Sequence, residues 1–335
     1  MKCLIVKKEN AEKAKKYLIK HELMAKEYKV FGRKSFIYFP ILKANGELKK
    51  LGTIGDAPFE KSTAKIDYKK EFNRLIGKEK GGASHGYDLL GNIAIIDAEP
   101  KLAKKIAELI THINKNVKTV LRKAGAVEGV YRKRAYRYVL GKKNFVAHYK
   151  ENGCIFEFDV RKVFFSPRLA YERQRIASQV KEGENVVVMF AGVGPFAIEI
   201  AKKVPSSKVV AIELNRHGYK YMLKNIKLNK ASNVIPILGD VSKVSKKFKG
   251  FADRIVMPLP KEANNFLDSV LAVAKKKAIV HYYRFTSRDS KFSRVEKEIN
   301  DFFKGKASVK IVNERLVRPY SSKEVEVVID FTIEK

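Results

Sequence analysis

Two glycines and two carboxylates occur where a nucleotide could be bound. Gly192 and Gly194 follow the apolar stretch NVVVMF, and glycine lets the backbone turn sharply and approach a ligand closely. Glu213 lies at the end of the next apolar stretch, 21 residues after Gly192, where a carboxylate can accept hydrogen bonds from both ribose hydroxyls. Gly239 and Asp240 end a third stretch, where an adenine amine can be bound. The spacing predicts a site for an adenosine-containing ligand.

The glycine pattern alone leaves the ligand open between NAD and S-adenosylmethionine. Gly192-x-Gly194-x-x-Ala197 also satisfies the dinucleotide fingerprint. Two details favour S-adenosylmethionine: Pro195 removes an N–H that would otherwise meet a pyrophosphate, and Asp240 stands where an adenine amine can be met. The remaining interpretation is a tight turn from strand to helix that binds no ligand.

The elements that must position these residues alternate between strand and helix. From about Val163 onwards, apolar strand-like stretches are separated by helical ones, which predicts a parallel, doubly wound α/β sheet of Rossmann type. Two late stretches, SVKIVNERLV and EVEVVIDFTIE, are predicted to close one edge of this sheet as an antiparallel pair. Because ligands bind at the carboxyl ends of parallel strands, the glycines and carboxylates converge at one edge.

Two smaller domains are predicted before this sheet. Residues 1–60 read as a small α/β unit, and residues 61–84 are charged and end in two glycines, which indicates a basic linker. Residues 85–162 read as a middle α+β domain. It contains a helix opened by Pro100 and a hairpin at Asn152-Gly153. Residues 163–335 form the Rossmann-like domain.

The composition points to a polyanionic partner. The 335-residue chain carries 70 Lys and Arg against 36 Asp and Glu, a net charge of +34, so nucleic acid is the first candidate. The alternatives are a solubility surface and a lysine-rich, high-temperature composition. No apolar window is long enough for a membrane span, and Cys3 and Cys154 with six scattered histidines predict neither disulfides nor a metal site. We expect a cytoplasmic monomer that binds no membrane.

The chain resembles a known family in an ordered set of motifs. FFSPRLAYERQRIA, MFAGVGPFAIEIA, AIELNRHGYKYMLKNIKLN, GDV, RIVMPLPK and HYY stand in the order and spacing of the archaeal and eukaryotic class I tRNA (guanine-37-N1)-methyltransferases. YRKRAYR and HYKENG also fit upstream. The resemblance covers residues 85–335 well and residues 1–60 loosely.

The resemblance implies a fold, a reaction and a set of residues. The fold is an N-terminal domain that checks the tRNA outer corner, a middle domain and a methyltransferase domain. The reaction transfers a methyl group from S-adenosylmethionine to N1 of guanosine-37, beside the anticodon. Matched to the family motifs, the cofactor-binding residues are Phe190, Gly192, Gly194, Glu213 and Asp240.

Two further residues match the positions at which the family acts on the base. Guanine N1 carries a proton, so a carboxylate such as Glu172 can serve as general base, and Arg134 can stabilise the charge that develops on O6. The alternatives are ordinary ones. Arg134 could contact phosphate together with its basic neighbours, and Glu172 could pair with Arg173 or Arg175 on a helix surface.

The chain departs from the family pattern at the predicted substrate-base pocket. Pro258, Leu259 and Pro260 replace the family's Asn-Leu-Pro, and Val188 stands where many members have an acidic residue. Proline keeps the backbone carbonyl and loses the side-chain acceptor. An archaeal branch of the family departs similarly and methylates C7 of the wyosine intermediate imidazoguanosine, alone or in addition to guanosine N1. That reaction is the alternative within the class.

Two other classes remain as alternatives: a nicotinamide oxidoreductase and a non-enzymatic RNA-binding protein. For RNA, phosphate contacts are predicted along the linker, Arg132–Arg137, Lys142-Lys143 and Lys275–Lys277. Stacking on a splayed base is predicted for four tyrosines, each of which could instead be a core residue: Tyr131, Tyr136, Tyr282 and Tyr283.

Overall fold

The chain forms two compact units, Met1–Glu71 and Phe72–Lys335. The computed structural model describes residues 1–25, 27–61, 67–77, 81–129 and 133–335. The predicted linker residues 62–66 and 78–80 lie outside the described residues, as do Tyr131 and Arg132. Within the described ranges, no helix is long and apolar enough to span a membrane.

The first unit is an antiparallel sheet with strand order β2-β3-β1-β4, accompanied by two helices. β1 is apolar from Cys3 to Val6, and Leu4 and Val6, which point to the same face, pack with Leu18 and Phe39 in the core of the unit. This confirms the predicted small α/β unit. Its elements are β1 (Lys2–Lys7), α1 (Ala11–Lys20), β2 (Phe31–Arg33), β3 (Phe36–Pro40), α2 (Gly46–Lys49) and β4 (Thr53–Asp56).

A helix, α3 (Tyr68–Ile76), lies inside the segment that the sequence predicts as a linker. Its Phe72 is fully buried, and the ring centroids of Phe72 and His85 are 4.5 Å apart. Phe72, Leu75 and Ile76 occupy one side of the helix at spacings of three and four residues. The many charges around this short stripe explain why composition alone indicates a linker.

The middle part contains a four-stranded sheet of order β5-β6-β7-β8. β6 and β7 are parallel and α4 connects them, whereas both outer pairs are antiparallel. Pro100 starts α4, and Leu102, Ile106 and Ile110 bury its apolar side as the spacing predicts. The elements are β5 (Ala83–Leu90), β6 (Ile93–Ala98), α4 (Pro100–Ile113), β7 (Thr119–Glu128) and β8 (Lys133–Gly141).

The remaining elements build a hairpin and a seven-stranded sheet. They are β9 (Val146–Glu151), β10 (Cys154–Asp159), α5 (Ala170–Ala177), β11 (Asn185–Val188), α6 (Pro195–Lys203), β12 (Lys208–Glu213), α7 (Arg216–Asn229), β13 (Val234–Leu238), α8 (Val241–Val244), β14 (Ala252–Met257), α9 (Leu267–Val273), β15 (Ala274–Ser287), α10 (Ser293–Phe303), β16 (Ser308–Pro319) and β17 (Glu324–Glu334).

The hairpin β9-β10 turns at Asn152 and Gly153, which have φ angles of 46° and 74°. Both residues in the left-handed region fit the predicted Asn-Gly hairpin turn. The sequence places this hairpin in the middle domain, whereas its β10 backbone is held by α7. The side chain of Asn225 accepts from the Glu157 N–H at 2.8 Å, and that of Asn229 accepts from the Ile155 N–H at 2.8 Å.

The seven-stranded sheet has the order β13-β12-β11-β14-β15-β17-β16. The first five strands are parallel, and β17 and β16 close the edge in antiparallel pairing, as predicted. Val186 and Val188 face a core shared with α5, α6 and α7, whereas Val187 and Met189 face a core shared with α9 and α10. Burial on both faces explains the continuous apolar run and confirms the doubly wound α/β fold.

Candidate active site

A cleft opens beyond the carboxyl ends of β11, β12 and β14, the position at which doubly wound sheets bind ligands. It brings together six residues that the sequence predicts for the cofactor and base sites. Those six are Phe190, Gly192, Glu213, Asp240, Pro258 and Leu259. Sequence reasoning missed the rest of the lining, which comes mainly from loops: Val163, Phe164, Leu214, Asn215, Gly218, Val241, Glu262 and Phe266.

The Glu213 carboxylate is held by backbone N–H groups from two turns. Gly192 donates to Oε2 at 2.6 Å, and Asn215 donates to Oε1 at 2.7 Å. Burial raises the pKa of Glu213, and the backbone hydrogen bonds oppose that rise. A Cβ added at Gly218 would lie 3.2 Å from Glu213 Cγ and 3.2 Å from the Gly192 carbonyl oxygen. The carboxylate is therefore fixed in place at the cleft wall.

The turn after β11 uses three residues in the left-handed region. Phe190, Gly192 and Gly194 have φ angles of 56°, 59° and 88°. A positive φ is rare for a phenylalanine, and such residues concentrate at functional sites. The Phe190 ring packs edge-on against Phe266, with centroids 4.8 Å apart. Gly194 is the N-cap of α6 and packs against Met222, so it shapes the turn without lining the cleft.

Asp240 follows β13 and caps α8. Its Oδ1 accepts from the backbone N–H of Ser242 at 2.8 Å and from the Ser242 hydroxyl at 2.7 Å. Both bonds use the same oxygen, which orients the carboxylate at the cleft wall. Asp240 is therefore positioned to accept a hydrogen bond from a ligand amine.

The three residues after β14 take different positions. Pro258 and Leu259 line the cleft, whereas Pro260 is buried. The Pro260 carbonyl accepts from the Phe285 N–H at 3.1 Å and from Arg284 Nη1 at 3.3 Å. That carbonyl is already used within the fold. Of the three residues predicted for the substrate-base pocket, Pro258 and Leu259 line the cleft and Pro260 does not.

A second cavity adjoins the first and shares Val163 and Phe164 with it. Arg134 of β8 lines this cavity, which places it beside the cleft but on a different chain segment from the cofactor residues. The other charged residues of its lining are Asp88, Asp97, Lys123, Arg168 and Arg318. Arg168 pairs with Asp88 at 2.9 Å. The cavity is thus a mainly cationic pocket next to the nucleotide cleft.

Glu172 lies on α5 and is buried, with a 3% exposed side chain. Its Oε2 accepts from Arg175 Nε at 2.9 Å and from the Tyr283 hydroxyl at 3.1 Å, and its Oε1 accepts from Arg315 Nε at 2.7 Å. The sequence offered an ion pair between Glu172 and Arg175 on a helix surface as an alternative. This ion pair is present, but it is buried. Glu172 is not part of the lining of either cavity.

Arg173, the other residue offered as a partner of Glu172, faces a separate buried cluster. Its Nε lies 2.6 Å from Glu151 Oε1 and 3.5 Å from Glu199 Oε1. Burial raises the pKa of Glu199 to about 8, and the Glu151 charge adds to that rise. The cluster joins β9, α5 and α6, and Arg173 Nη2 also donates at 3.1 Å to the carbonyl of Ser166, a residue that lines the second cavity.

The stacking prediction for the tyrosines is corrected by their burial. Tyr282 and Tyr283 are fully buried, because β15 is covered on both faces. The Tyr282 hydroxyl donates to Glu298, and the Tyr283 hydroxyl donates to Glu172. Tyr136 lines the second cavity, and Tyr131 lies outside the described residues. Of the described tyrosines proposed for stacking, only Tyr136 lies beside a cavity.

Three family models match successive parts of the chain. The tRNA methyltransferase 5 N-terminal domain matches residues 3–49, and the TYW2 N-terminal domain matches residues 73–144. The TRM5/TYW2 methyltransferase domain matches residues 147–312. This third match begins inside the hairpin that binds α7.

Individual relatives give the same result. The tRNA (guanine(37)-N(1))-methyltransferase Trm5b of Pyrococcus abyssi is 39% identical over 254 residues, which cover 74% of each chain. The tRNA 4-demethylwyosine(37)-methyltransferase Taw21 of Saccharolobus solfataricus is 38% identical over 200 residues, covering 58% of this chain and 76% of the relative. A solved complex of aTrm5 with tRNALeu superposes with a TM-score of 0.77 at 32% identity, covering 99% of both chains. The chain therefore belongs to the TRM5/TYW2 methyltransferase family.

Proposed function

We propose that the protein transfers a methyl group from S-adenosylmethionine to N1 of guanosine-37 in tRNA. The observation that carries this proposal is the pair of adjoining cavities that share Val163 and Phe164. One has the residues of an adenosine site and the other is lined by arginines. A small-molecule donor and an anionic RNA acceptor can therefore meet at the shared wall. Membership in the TRM5/TYW2 family supports the same reaction.

The cleft residues fit an adenosine-containing methyl donor. Glu213 presents a fixed carboxylate for ribose hydroxyls, Asp240 presents one for the adenine amine, and Phe190 and Phe266 supply apolar surface. Glycine at position 218 lets Glu213 keep its place, because an added Cβ would lie 3.2 Å from Glu213 Cγ. At Gly192 an added Cβ would come only within 4.0 Å of the Phe164 carbonyl oxygen, so the backbone there is open. When bound, S-adenosylmethionine supplies an electrophilic methyl group on its sulfonium. Pro258 and Leu259 border the same cleft with apolar side chains.

Arg134 and Glu172 are the residues to which we assign the chemistry on the base. Arg134 lines the cavity next to the cleft, where its guanidinium can stabilise negative charge on guanine O6. Glu172 lies on α5 and lines neither cavity in the free protein; as the proposed base, its carboxylate would accept the N1 proton. Tyr283 and Arg175 hold Glu172 from the buried side.

tRNA is the substrate in this proposal, and three parts of the chain contribute to binding it. Residues 1–60 would recognise the outer corner, residues 85–162 would bind the anticodon stem-loop, and residues 163–335 would carry out transfer. The net charge of +34 and the similarity to a structure solved with tRNA support tRNA as the substrate. We propose that the protein acts as a monomer in the cytoplasm.

A second substrate is favoured by one specific observation. Pro258 borders the cleft with no side-chain acceptor for a base edge, and the Pro260 carbonyl is bonded to Phe285 and Arg284. A tricyclic base attacked through ring carbon needs a stacked apolar surface more than an amide contact. C7 of 4-demethylwyosine is therefore the alternative target, alone or together with guanosine N1. The 38% identity to a 4-demethylwyosine methyltransferase supports it.

One experiment separates the two substrates. The protein is given S-adenosylmethionine and either a tRNA transcript with unmodified guanosine-37 or the same tRNA carrying the tricyclic intermediate, and the nucleosides are identified by mass spectrometry. N1-methylguanosine from the first supports the main proposal, and a C7-methylated product from the second supports the alternative. No methylated nucleoside from either substrate would contradict both.

The cofactor class is tested without RNA. Thermal unfolding is followed with S-adenosylmethionine and with NADH, because a ligand that binds the folded state raises the midpoint. A shift with S-adenosylmethionine alone is expected. A shift with NADH alone would favour an oxidoreductase, and a shift with neither would favour a non-enzymatic RNA-binding protein.

A further inference from the structure

The edge strand β16 carries a row of polar side chains that face α5. Two bulges, between Ile311 and Asn313 and between Leu316 and Arg318, break its pairing with β17. With these bulges, Asn313 lies opposite Asp330, Arg315 opposite Val328 and Arg318 opposite Glu326. The three β17 residues are spaced two positions apart, so they and their partners point to one face of the sheet. The bulges thus align two arginines that would otherwise point to opposite faces.

Arg315 is the most accessible of the three partners that hold the Glu172 carboxylate. The Tyr283 side chain is fully buried, and the Arg175 side chain is 12% exposed and anchored to Asp330. The Arg315 side chain is 39% exposed. Its guanidinium lies 4.5 Å from the ring centroid of Tyr171, a residue that is 59% exposed. Of the three partners, Arg315 is therefore the one that can leave Glu172 by moving towards the solvent.

Both oxygens of the Glu172 carboxylate are occupied: Arg175 and Tyr283 donate to Oε2, and Arg315 donates to Oε1. While Arg315 stays in place, its guanidinium stands where a base proton would have to approach Oε1. Arg175 cannot move, since Asp330 and Glu172 both hold it in the interior. Arg315 has only the one carboxylate bond and the ring contact with Tyr171 among its described contacts. An RNA phosphate offers an arginine a bidentate partner of the same charge as Glu172.

We propose that Arg315 covers Glu172 in the free protein and transfers to a phosphate of the RNA when the substrate binds. Arg315 is then an RNA-binding residue whose departure exposes the base, and Tyr171 supports it at the surface in both positions. This inference rests on the proposed role of Glu172. It adds that binding of the anionic RNA is coupled to exposure of the Glu172 carboxylate, because the RNA phosphate takes Arg315 away from it.

The coupling predicts an effect on tRNA binding that needs no methyl transfer. In the free protein, the Arg315–Glu172 pair must break before the phosphate contact forms, so weakening that pair should strengthen binding. Glu172→Gln is therefore expected to bind tRNA several-fold tighter than the unaltered protein, on the order of threefold to tenfold. The gain should vanish when Arg315→Ala is combined with Glu172→Gln.

Arg315→Ala alone provides the second readout. Its tRNA affinity is expected to fall, and its log–log salt dependence to lose about one unit of slope, because one phosphate contact is missing. Expressed as fold-changes, the loss of tRNA affinity should be about tenfold larger than any loss of single-turnover rate. Arg315→Lys should restore part of the affinity. Lys310→Ala, which removes an exposed charge from the same strand, is the matched control and should change the affinity much less.

Filter binding at several salt concentrations measures these affinities, and thermal unfolding checks that each variant is folded. A purely structural brace predicts the opposite pattern: Glu172→Gln binds no tighter, and Arg315→Ala loses rate at saturating RNA with unchanged affinity. Either result overturns the inference. If Arg315→Ala does not fold, the comparison is made with Arg315→Lys. Methyl transfer by the unaltered protein is assayed separately, so its absence would contradict the proposed function alone.

Discussion

The Gly192 N–H donates to the Glu213 carboxylate at 2.6 Å and so joins the turn after β11 to the end of β12. The glycine pattern and the carboxylate 21 residues later are one hydrogen-bonded unit. Its geometry presents the carboxylate to the cleft while the glycine backbone leaves space beside it. This unit is the basis for assigning the cleft to an adenosine-containing ligand.

Replacing Glu213 with Gln should weaken S-adenosylmethionine binding. A lost hydrogen bond to a charged group corresponds to roughly 10-fold to 100-fold in affinity. Calorimetric titration with the cofactor measures it, and tRNA binding serves as the control because Glu213 lies in the cofactor cleft. An unchanged cofactor affinity would remove Glu213 from the site.

The same carboxylate gives the unaltered protein a pH dependence. The ionised form accepts hydrogen bonds from ribose, so cofactor affinity should fall as the pH is lowered through the pKa of Glu213. Burial raises that pKa, so the fall should begin at higher pH than for an exposed glutamate. In Glu213→Gln this dependence should be absent over the same range.

Gly218→Ala tests the close packing behind Glu213. The new Cβ would lie 3.2 Å from Glu213 Cγ and from the Gly192 carbonyl oxygen, so the carboxylate must shift. We expect about tenfold weaker cofactor binding, from an overpacking cost on the order of 1 to 3 kcal/mol. Gly46→Ala, where no atom lies within 4 Å of the added Cβ, is the control and should bind the cofactor normally. Equal affinity in the two variants would show that the packing is unimportant.

The sequence predicted this part of the molecule well because its signals are local. A glycine turn, a strand-end carboxylate and alternating elements each follow from short-range geometry, and the doubly wound sheet confirms them. The other wall of the cleft was missed because Val163 and Phe164 belong to a loop, and Phe266 to a short 3-10 helix, whose positions depend on distant packing. Asn215, for example, binds the Lys162 carbonyl at 2.9 Å across 53 residues.

The Glu151–Arg173–Glu199 cluster should make stability depend on pH. Burial raises the pKa of Glu199 to about 8, so the folded protein retains a proton that the unfolded chain releases near pH 4 to 5. Its contribution to stability is therefore full below that range and is lost as the pH rises towards 8. Glu199→Gln, which stays neutral, should gain stability relative to the unaltered protein across this window, on the order of a few degrees in Tm. A difference that does not change with pH would contradict the raised pKa.

Changes at Glu172 and Arg134 should separate chemistry from binding. Glu172→Ala removes the proposed base and is expected to lower the single-turnover rate by about 100-fold or more. Arg134→Ala removes the proposed O6 partner and should lower it by about 100-fold. Rapid-quench assays with saturating protein measure these rates, and filter binding checks that tRNA is still bound. If methyl transfer survives both changes while tRNA binds, the two roles are wrong.

The sequence did not indicate that Glu172 and its arginine neighbours are buried. The motif AYERQRI contains one carboxylate and two arginines on a short helix, which is equally typical of a surface. Their separation into two buried clusters depends on β16 and β17, more than 130 residues later, through Arg315 and Asp330. The same long-range packing buries Tyr282 and Tyr283, which the sequence alone offers equally for stacking and for the core.

Methyl transfer to guanosine-37 is tested by a comparison of two RNA substrates. Two tRNA transcripts that differ only at position 37, one with guanosine and one with adenosine, are incubated with the protein and S-adenosylmethionine, and the digested nucleosides are identified by mass spectrometry. We expect N1-methylguanosine from the guanosine transcript and no methylated nucleoside from the adenosine transcript. Equal methylation of both transcripts, or methylation of neither, would contradict this expectation.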